Sequence, residues 1–186
     1  IFIFSIGPEK EKLSILGIGI IWTLLLLSST LSLKKFYQDD FENGNLLLIH
    51  LNGFSFEFIS IMKTISHFVF VQFPFLISIP VASVLLDIPL EKMRSLMISF
   101  LIGSLILSSL GSISSSMNLL NKRNYLLGSA IVMVFSIPVV IFSVGIIQLD
   151  ENFNSLISIL SGILLIVFAI NPWASGYCLK LAIQNN

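Results

Sequence analysis

Three carboxylates crowd into Asp39-Asp40-Phe41-Glu42, within the charged island Lys34-Lys35-Phe36-Tyr37-Gln38-Asp39-Asp40-Phe41-Glu42-Asn43-Gly44. Neighbouring carboxylates can share general acid–base work when their environments hold one protonated and the other not. In a polar segment at a membrane surface they are solvated instead, so none is assigned a catalytic role. His50 and His67 stand 17 residues apart, outside the i, i+4 spacing of a helical metal site. Cys178 is the only cysteine, which excludes a disulfide framework, a C-x-x-C pair and C-x-x-C-H haem attachment; a buried, inert thiol is expected. Lys63 and His67 lie four residues apart on one helix face, where a hydrogen-bonded or snorkelling pair near the interface is expected. Contact of His67 with haem is the sharper alternative, and it lacks a second ligand.

These side chains are spaced by long apolar runs. The charged fraction is 11%, the hydrophobic fraction 55% and the mean hydropathy +0.98, against a charged share of about 25% in soluble domains. The chain therefore reads as an all-α integral membrane protein. Its formal net charge of zero leaves no basic face for a phosphate backbone, which excludes nucleic acid as a partner. Intervals 13–33, 64–86, 95–121, 124–149 and 152–179 contain no charged residue. Each reaches the roughly 20 residues that a membrane helix requires. Predicted spans are 13–33, 63–86, 95–117, 124–147 and 156–182. The short apolar run Ile1–Ile6, ended by Gly7-Pro8, reads as the stub (1–7) of a truncated first helix. That makes six spans in the intact protein.

Only the link 34–62 is long enough for structure of its own. Its basic residues, then its carboxylates and Gly44, then an apolar run from Leu46, suit a surface element with an interfacial helix that another protein could grip. Lys and Arg bias is slight: Lys34, Lys35, Lys63, Lys122, Arg123 and Lys180 fall on one side, and Lys10, Lys12, Lys92 and Arg94 on the other. This places the island in the cytoplasm, or in the matrix of a mitochondrion, with Asp150-Glu151 outside.

Within the spans, Ser104, Ser108, Ser112 and Ser116 recur every four residues and form one small-residue face suited to helix packing, with a substrate-lining face as the sharper alternative. Trp22 and Trp173 are expected to be packing or interface residues. Pro74, Pro80, Pro138 and Pro172 each remove a backbone donor and predict kinks or broken turns. Apart from Lys63 and Lys180 at their very ends, the complete spans carry no charge, which disfavours an ion-coupled transporter. No Gly-Lys pair occurs, so no P-loop is present and a nucleotidase would be a separate subunit.

Ile6-Gly7-Pro8-Glu9, Gly19-Ile20-Ile21-Trp22, Leu26-Leu27-Ser28-Ser29 and Gln38-Asp39-Asp40-Phe41-Glu42-Asn43-Gly44-Asn45-Leu46 follow one another as in the haem exporter protein B family. Lys63 to His67, the Pro74 and Pro80 span, Lys122-Arg123, Ile137-Pro138 with Ile141-Phe142, and Asn171-Pro172 to Gln184 extend the resemblance over essentially the whole chain. The resemblance implies a six-transmembrane-helix ABC-2-type permease bundle in a bacterial inner membrane or a mitochondrial inner membrane. Its implied partners are an ABC ATPase that holds the ATP, other cytochrome c maturation membrane subunits and a haem chaperone. Haem is the implied substrate, and no cofactor is implied for this chain. Phe36, Asp39, Asp40, Phe41, Glu42, Gly44 and Leu46 are the expected coupling residues: the acids supply charge complementarity, Phe41 and Leu46 the apolar anchors, Gly44 the turn. A general ABC-2-type exporter of lipid, glycan or drug would share these features, as would a non-transporting assembly scaffold.

Overall fold

A computed structural model describes residues 10–120, 126–148 and 153–185. The stub 1–7, the Lys122-Arg123 and Asn124-Tyr125 positions and the Asp150-Glu151 loop lie outside the described residues. In chain order the helices are α1 (Lys10–Glu42), α2 (Asn45–Leu51), α3 (Phe56–His67), a π-helical turn (Phe68–Gln72), α4 (Phe73–Leu85), α5 (Leu90–Leu120), α6 (Leu126–Gln148) and α7 (Phe153–Gln184). Among the described residues, five helical columns are long and apolar enough to cross a membrane, α3, the π-turn and α4 counting as one column. The chain is a multi-pass, all-α membrane bundle.

The apolar run of α1 stops at Leu33, but the helix does not. Its helix continues through the charged island to Glu42, because nothing between Lys34 and Phe41 breaks the backbone ladder. Asn43-Gly44 ends it. Gly44 takes φ 73°, the left-handed conformation that costs glycine little, and its N–H bonds the Phe41 carbonyl at 3.2 Å. Nine residues later, Asn52-Gly53 ends the seven-residue α2 in the same manner, with Gly53 at φ 95°. Ser55 then caps α3, its hydroxyl accepting from the Phe58 N–H at 3.2 Å, with Glu57 in the positive first turn. Residues 56–62, expected in the surface link, are thus part of the same column as the span that follows.

Pro74 accounts for the π-turn. It lacks an N–H and its ring crowds the carbonyl four residues back, and the extra residue of a π-bulge relieves both. At Pro80, Pro138 and Pro172 the turn is not broken: α4, α6 and α7 run through these residues.

Helix α5 is the central column, packed most extensively on α7 and α6 and then on α1. Serine and glycine make this possible. Lipid tails are as apolar as leucine, so association in a membrane depends on close packing and interhelical hydrogen bonds rather than on hydrophobic burial. At Gly103 the Trp22 ring occupies the place a side chain would take. Trp22 is 1% exposed, whereas Trp173 stands on the outer surface of α7. One buried cluster, around Trp22, Leu25, Ile79, Leu96 and Phe100, fills one end of the bundle. A second, of Phe36, Tyr37, Leu46, Phe56, Ile59, Leu119 and Leu179, fills the other. The second joins the carboxyl-terminal ends of α1, α5 and α7 to the amino-terminal end of α3 and clamps α2 onto all of them.

Candidate functional site

Two arrangements meet at that second end: a surface turn bearing the carboxylates and a buried polar spine that leads from it into the bundle.

The turn comprises the end of α1, Asn43-Gly44 and α2. Asp39 and Glu42 are exposed, Glu42 also accepting a hydrogen bond from the Gln38 carboxamide at 2.6 Å. Asp40 is directed inward. Its carboxylate forms an ion pair with Lys63 of α3 and accepts from Asn45 Nδ2 at 3.2 Å. Phe41 is half-buried against the second cluster. Phe36 and Leu46 lie inside it, 4% and 1% exposed, so they hold the turn to the bundle and offer little surface to a partner. The expected role of Leu46 as an outward anchor is corrected accordingly: its side chain faces the second cluster because α2 packs with that edge inward. Leu47, Leu48 and Leu51 present the outer apolar face of α2 instead. His50 closes the turn from the other side, Nδ1 lying 2.9 Å from the Phe54 carbonyl and the ring stacked on Phe56.

The spine begins one helical turn above Phe36. His67 is stacked on the Phe36 ring at 4.7 Å between centroids. Its Nδ1 lies 3.0 Å from Ser108 Oγ on α5, and its Nε2 lies 2.7 Å from Ser32 Oγ on α1. Both ring nitrogens lie at hydrogen-bond distance from hydroxyl groups, so His67 is held by Ser32 and Ser108 and not by Lys63, the partner expected for it, which is ion-paired with Asp40 instead. Gln72, in the π-turn, donates to Ser29 Oγ. Toward the turn, Ser112 is the hub. Its hydroxyl lies 2.7 Å from Tyr37 Oη, 3.3 Å from Ser60 Oγ and 3.1 Å from Ser175 Oγ. Ser175 donates to Asn171 Oδ1 at 2.9 Å, and Asn171 Nδ2 donates to Thr64 Oγ1 at 2.8 Å. Helices α1, α3, α5 and α7 are thereby joined by side chains that, half-buried Ser32 apart, are buried and bonded to one another, as a low-dielectric interior demands, with Gln72 Oε1 the one spine atom among them left without a hydrogen-bond partner.

The serine face thus divides by position. Ser104 and Ser116 donate to carbonyls of their own helix, at 2.9 and 2.8 Å, and serve close packing. Ser108 and Ser112 reach across helices. Tyr37, Ser60, Thr64, Asn171 and Ser175 were missed from the sequence. The signal existed in the i, i+4, i+7 spacing of Ser60, Thr64 and His67 and the i, i+4 spacing of Asn171 and Ser175, each defining a polar stripe on an apolar helix. Among the described residues no group of His, Cys, Asp and Glu is placed to hold a metal ion. Cys178, expected buried, is only half-buried on α7.

A groove of about 370 Å³ lies between α1 and α6. Its hydroxyls, from Thr23, Thr30 and Ser136, donate to carbonyls of their own helices, so it presents an almost wholly apolar wall.

Comparison with known proteins covers the whole of this architecture. The profile of the CcmB protein family matches residues 1–182. Proteins named heme exporter protein B are similar along the chain. That of Bradyrhizobium diazoefficiens is 30% identical, over 95% of this chain and 82% of its own length. That of Paracoccus denitrificans is 30% identical, over 97% and 84%. That of Haemophilus influenzae is 26% identical, over 100% and 85%. With a match from residue 1 to residue 182 and relatives aligned over most of their own lengths, this chain belongs to the CcmB protein family.

Proposed function

We propose that this chain is the membrane permease subunit of a haem-exporter-type ABC complex serving c-type cytochrome maturation in a bacterial inner membrane. Its substrate is haem, or the haem-loaded chaperone that it helps to release. The observation that carries this reading is the family match over residues 1–182, and it favours this function over a general ABC-2-type exporter. The chain is a permease subunit and not itself a catalyst; ATP is bound and hydrolysed by a partner ATPase on the cytoplasmic side.

The α1–α2 turn is the docking element. Asp39 and Glu42 meet complementary charge on the ATPase, and the exposed leucines of α2 enter an apolar groove beside it. Gly44 sets the angle between the helices. Phe36, Leu46 and the Asp40–Lys63 pair fix the turn to the bundle, so a push on α2 becomes a displacement of α1 and α3 together. The spine supports the onward transfer. Tyr37 ties the moving end of α1 to Ser112, which shares hydrogen bonds with α3 and α7. The π-turn at Phe68–Gln72 supplies a place where the column can bend while its outer half follows.

Co-purification with the ATPase tests the docking role. Asp39→Lys with Glu42→Lys is expected to reduce the ATPase recovered with the membrane-inserted permease at least about tenfold, the scale of one or two lost interfacial charge contacts. Undiminished recovery would contradict it. Asp40→Lys is a poorer probe, because it also places like charge against Lys63. Rescue of mature c-type cytochrome in a host lacking its own copy tests the pathway, and haem flux in reconstituted vesicles, measured beside chaperone release, separates the two outcomes.

A further inference from the structure

We propose that the cleft where α1, α2 and α3 meet binds a phospholipid whose headgroup carries both a phosphate and a primary ammonium, as phosphatidylethanolamine does. Two cavities of about 190 and about 200 Å³ open side by side on the outer face of α3, and Lys63 and Ser66 line both. The outer one is walled by Phe54, Phe58 and Met62, and the inner one by Phe70 and Ser32. Lys63, shared by the two, is ion-paired with Asp40, and the side chains are 29% and 25% exposed.

Depth and charge together select the occupant. From Lys63 to the end of the column at Leu85 the helix rises roughly 33 Å at about 1.5 Å per residue, close to the roughly 30 Å of bilayer hydrocarbon. The ion pair therefore lies at headgroup level, and the exposed Phe70 below it faces acyl chains. A purely anionic headgroup that approached Lys63 would meet the Asp40 carboxylate bonded to it, with exposed Asp39 and Glu42 close by. A headgroup bearing both charges meets each with its opposite: phosphate on Lys63, ammonium on Asp40. Asn45 holds Asp40 in place from behind. Ser66, which donates to the Met62 carbonyl at 2.8 Å, keeps its lone pairs for an ammonium N–H. A primary ammonium can donate such bonds and a quaternary one cannot, so the site distinguishes ethanolamine from choline headgroups. The inference stands on the ion pair and cleft and does not require the ATPase to dock on the neighbouring turn.

The test is lipid titration of the purified, delipidated protein with its partner subunits, with bound lipids counted by native mass spectrometry. Dioleoyl phosphatidylethanolamine is expected to be retained about tenfold more tightly than the matched phosphatidylglycerol, with phosphatidylcholine between them. Asp40→Asn and Lys63→Gln should each abolish the preference. Ser66→Leu, which fills the cleft from an exposed position without touching the ion pair, should abolish retention in a protein that still folds, and the swap Asp40→Lys with Lys63→Asp should restore it. Retention of phosphatidylglycerol at least as tight as that of phosphatidylethanolamine would overturn the proposal. So would retention indifferent to Ser66→Leu, or a photo-crosslinker at position 66 that captures a protein segment in place of lipid.

Discussion

Tyr37 Oη and Ser112 Oγ lie 2.7 Å apart, although 75 residues separate them in sequence, and this contact ties the island end of α1 to the centre of the bundle. Both side chains are wholly buried. Interhelical hydrogen bonds in membrane proteins contribute about 0.6 kcal/mol on average and up to about 1.7 kcal/mol. Ser112 has three such neighbours, so Ser112→Ala is expected to cost about 1–2 kcal/mol in thermal unfolding in detergent. Ser104→Ala, on the same helix face but bonded only to its own helix, should cost less than about 0.5 kcal/mol. Equal losses at the two positions would show that the spine contributes nothing beyond packing.

Gly103 tests the packing of α1 on α5. A Cβ there would collide with the Trp22 ring, which cannot retreat because it is buried and packed against Phe100 at 5.2 Å. Gly103→Ala is expected to destabilise by about 1–3 kcal/mol, the range for overpacking a filled core. Gly162→Ala meets nothing within 4 Å and should be close to neutral in the same assay.

Much of this architecture was open to reading in the chain, and the exceptions have physical causes. Charge-free intervals locate membrane helices because hydrocarbon excludes charge, and every described column falls on one of them. The helix of α1 outruns the span 13–33 because Lys34 to Phe41 contains no glycine or proline to break it; only Asn43-Gly44 could end the helix. Pro80, Pro138 and Pro172 leave their helices unbroken, as a membrane helix allows where the freed backbone groups find other partners. Ser104, Ser108, Ser112 and Ser116 share one spacing, so sequence could not tell the two that cross between helices from the two that bond at home. That distinction depends on what α1, α3 and α7 place opposite them. The inward turn of Asp40 was hidden likewise, since its partner Lys63 is 23 residues away across a hairpin whose geometry Gly44 and Gly53 decide.

Gly44 carries the left-handed turn between α1 and α2. Nothing crowds the space where its side chain would stand, so a substitution there measures backbone strain alone. Gly44→Ala is expected to cost about 1–2 kcal/mol, and Gly44→Asn distinctly less, because asparagine tolerates that region better than other residues. If the turn sets the docking angle, ATPase recovery should fall in the same order, Gly44→Ala below Gly44→Asn. Recovery unchanged in Gly44→Ala would separate the turn from docking.

The docking role of the α1–α2 turn depends on which side of the membrane the turn faces. With Cys178→Ser to remove the native thiol, Asn43→Cys places one reactive group at its exposed tip. A membrane-impermeant maleimide is expected to label that cysteine only in inside-out vesicles, and labelling should fall when the ATPase is bound. Labelling in intact spheroplasts, from the outer side, would contradict the assignment of the turn as the point where ATP-driven motion enters the bundle.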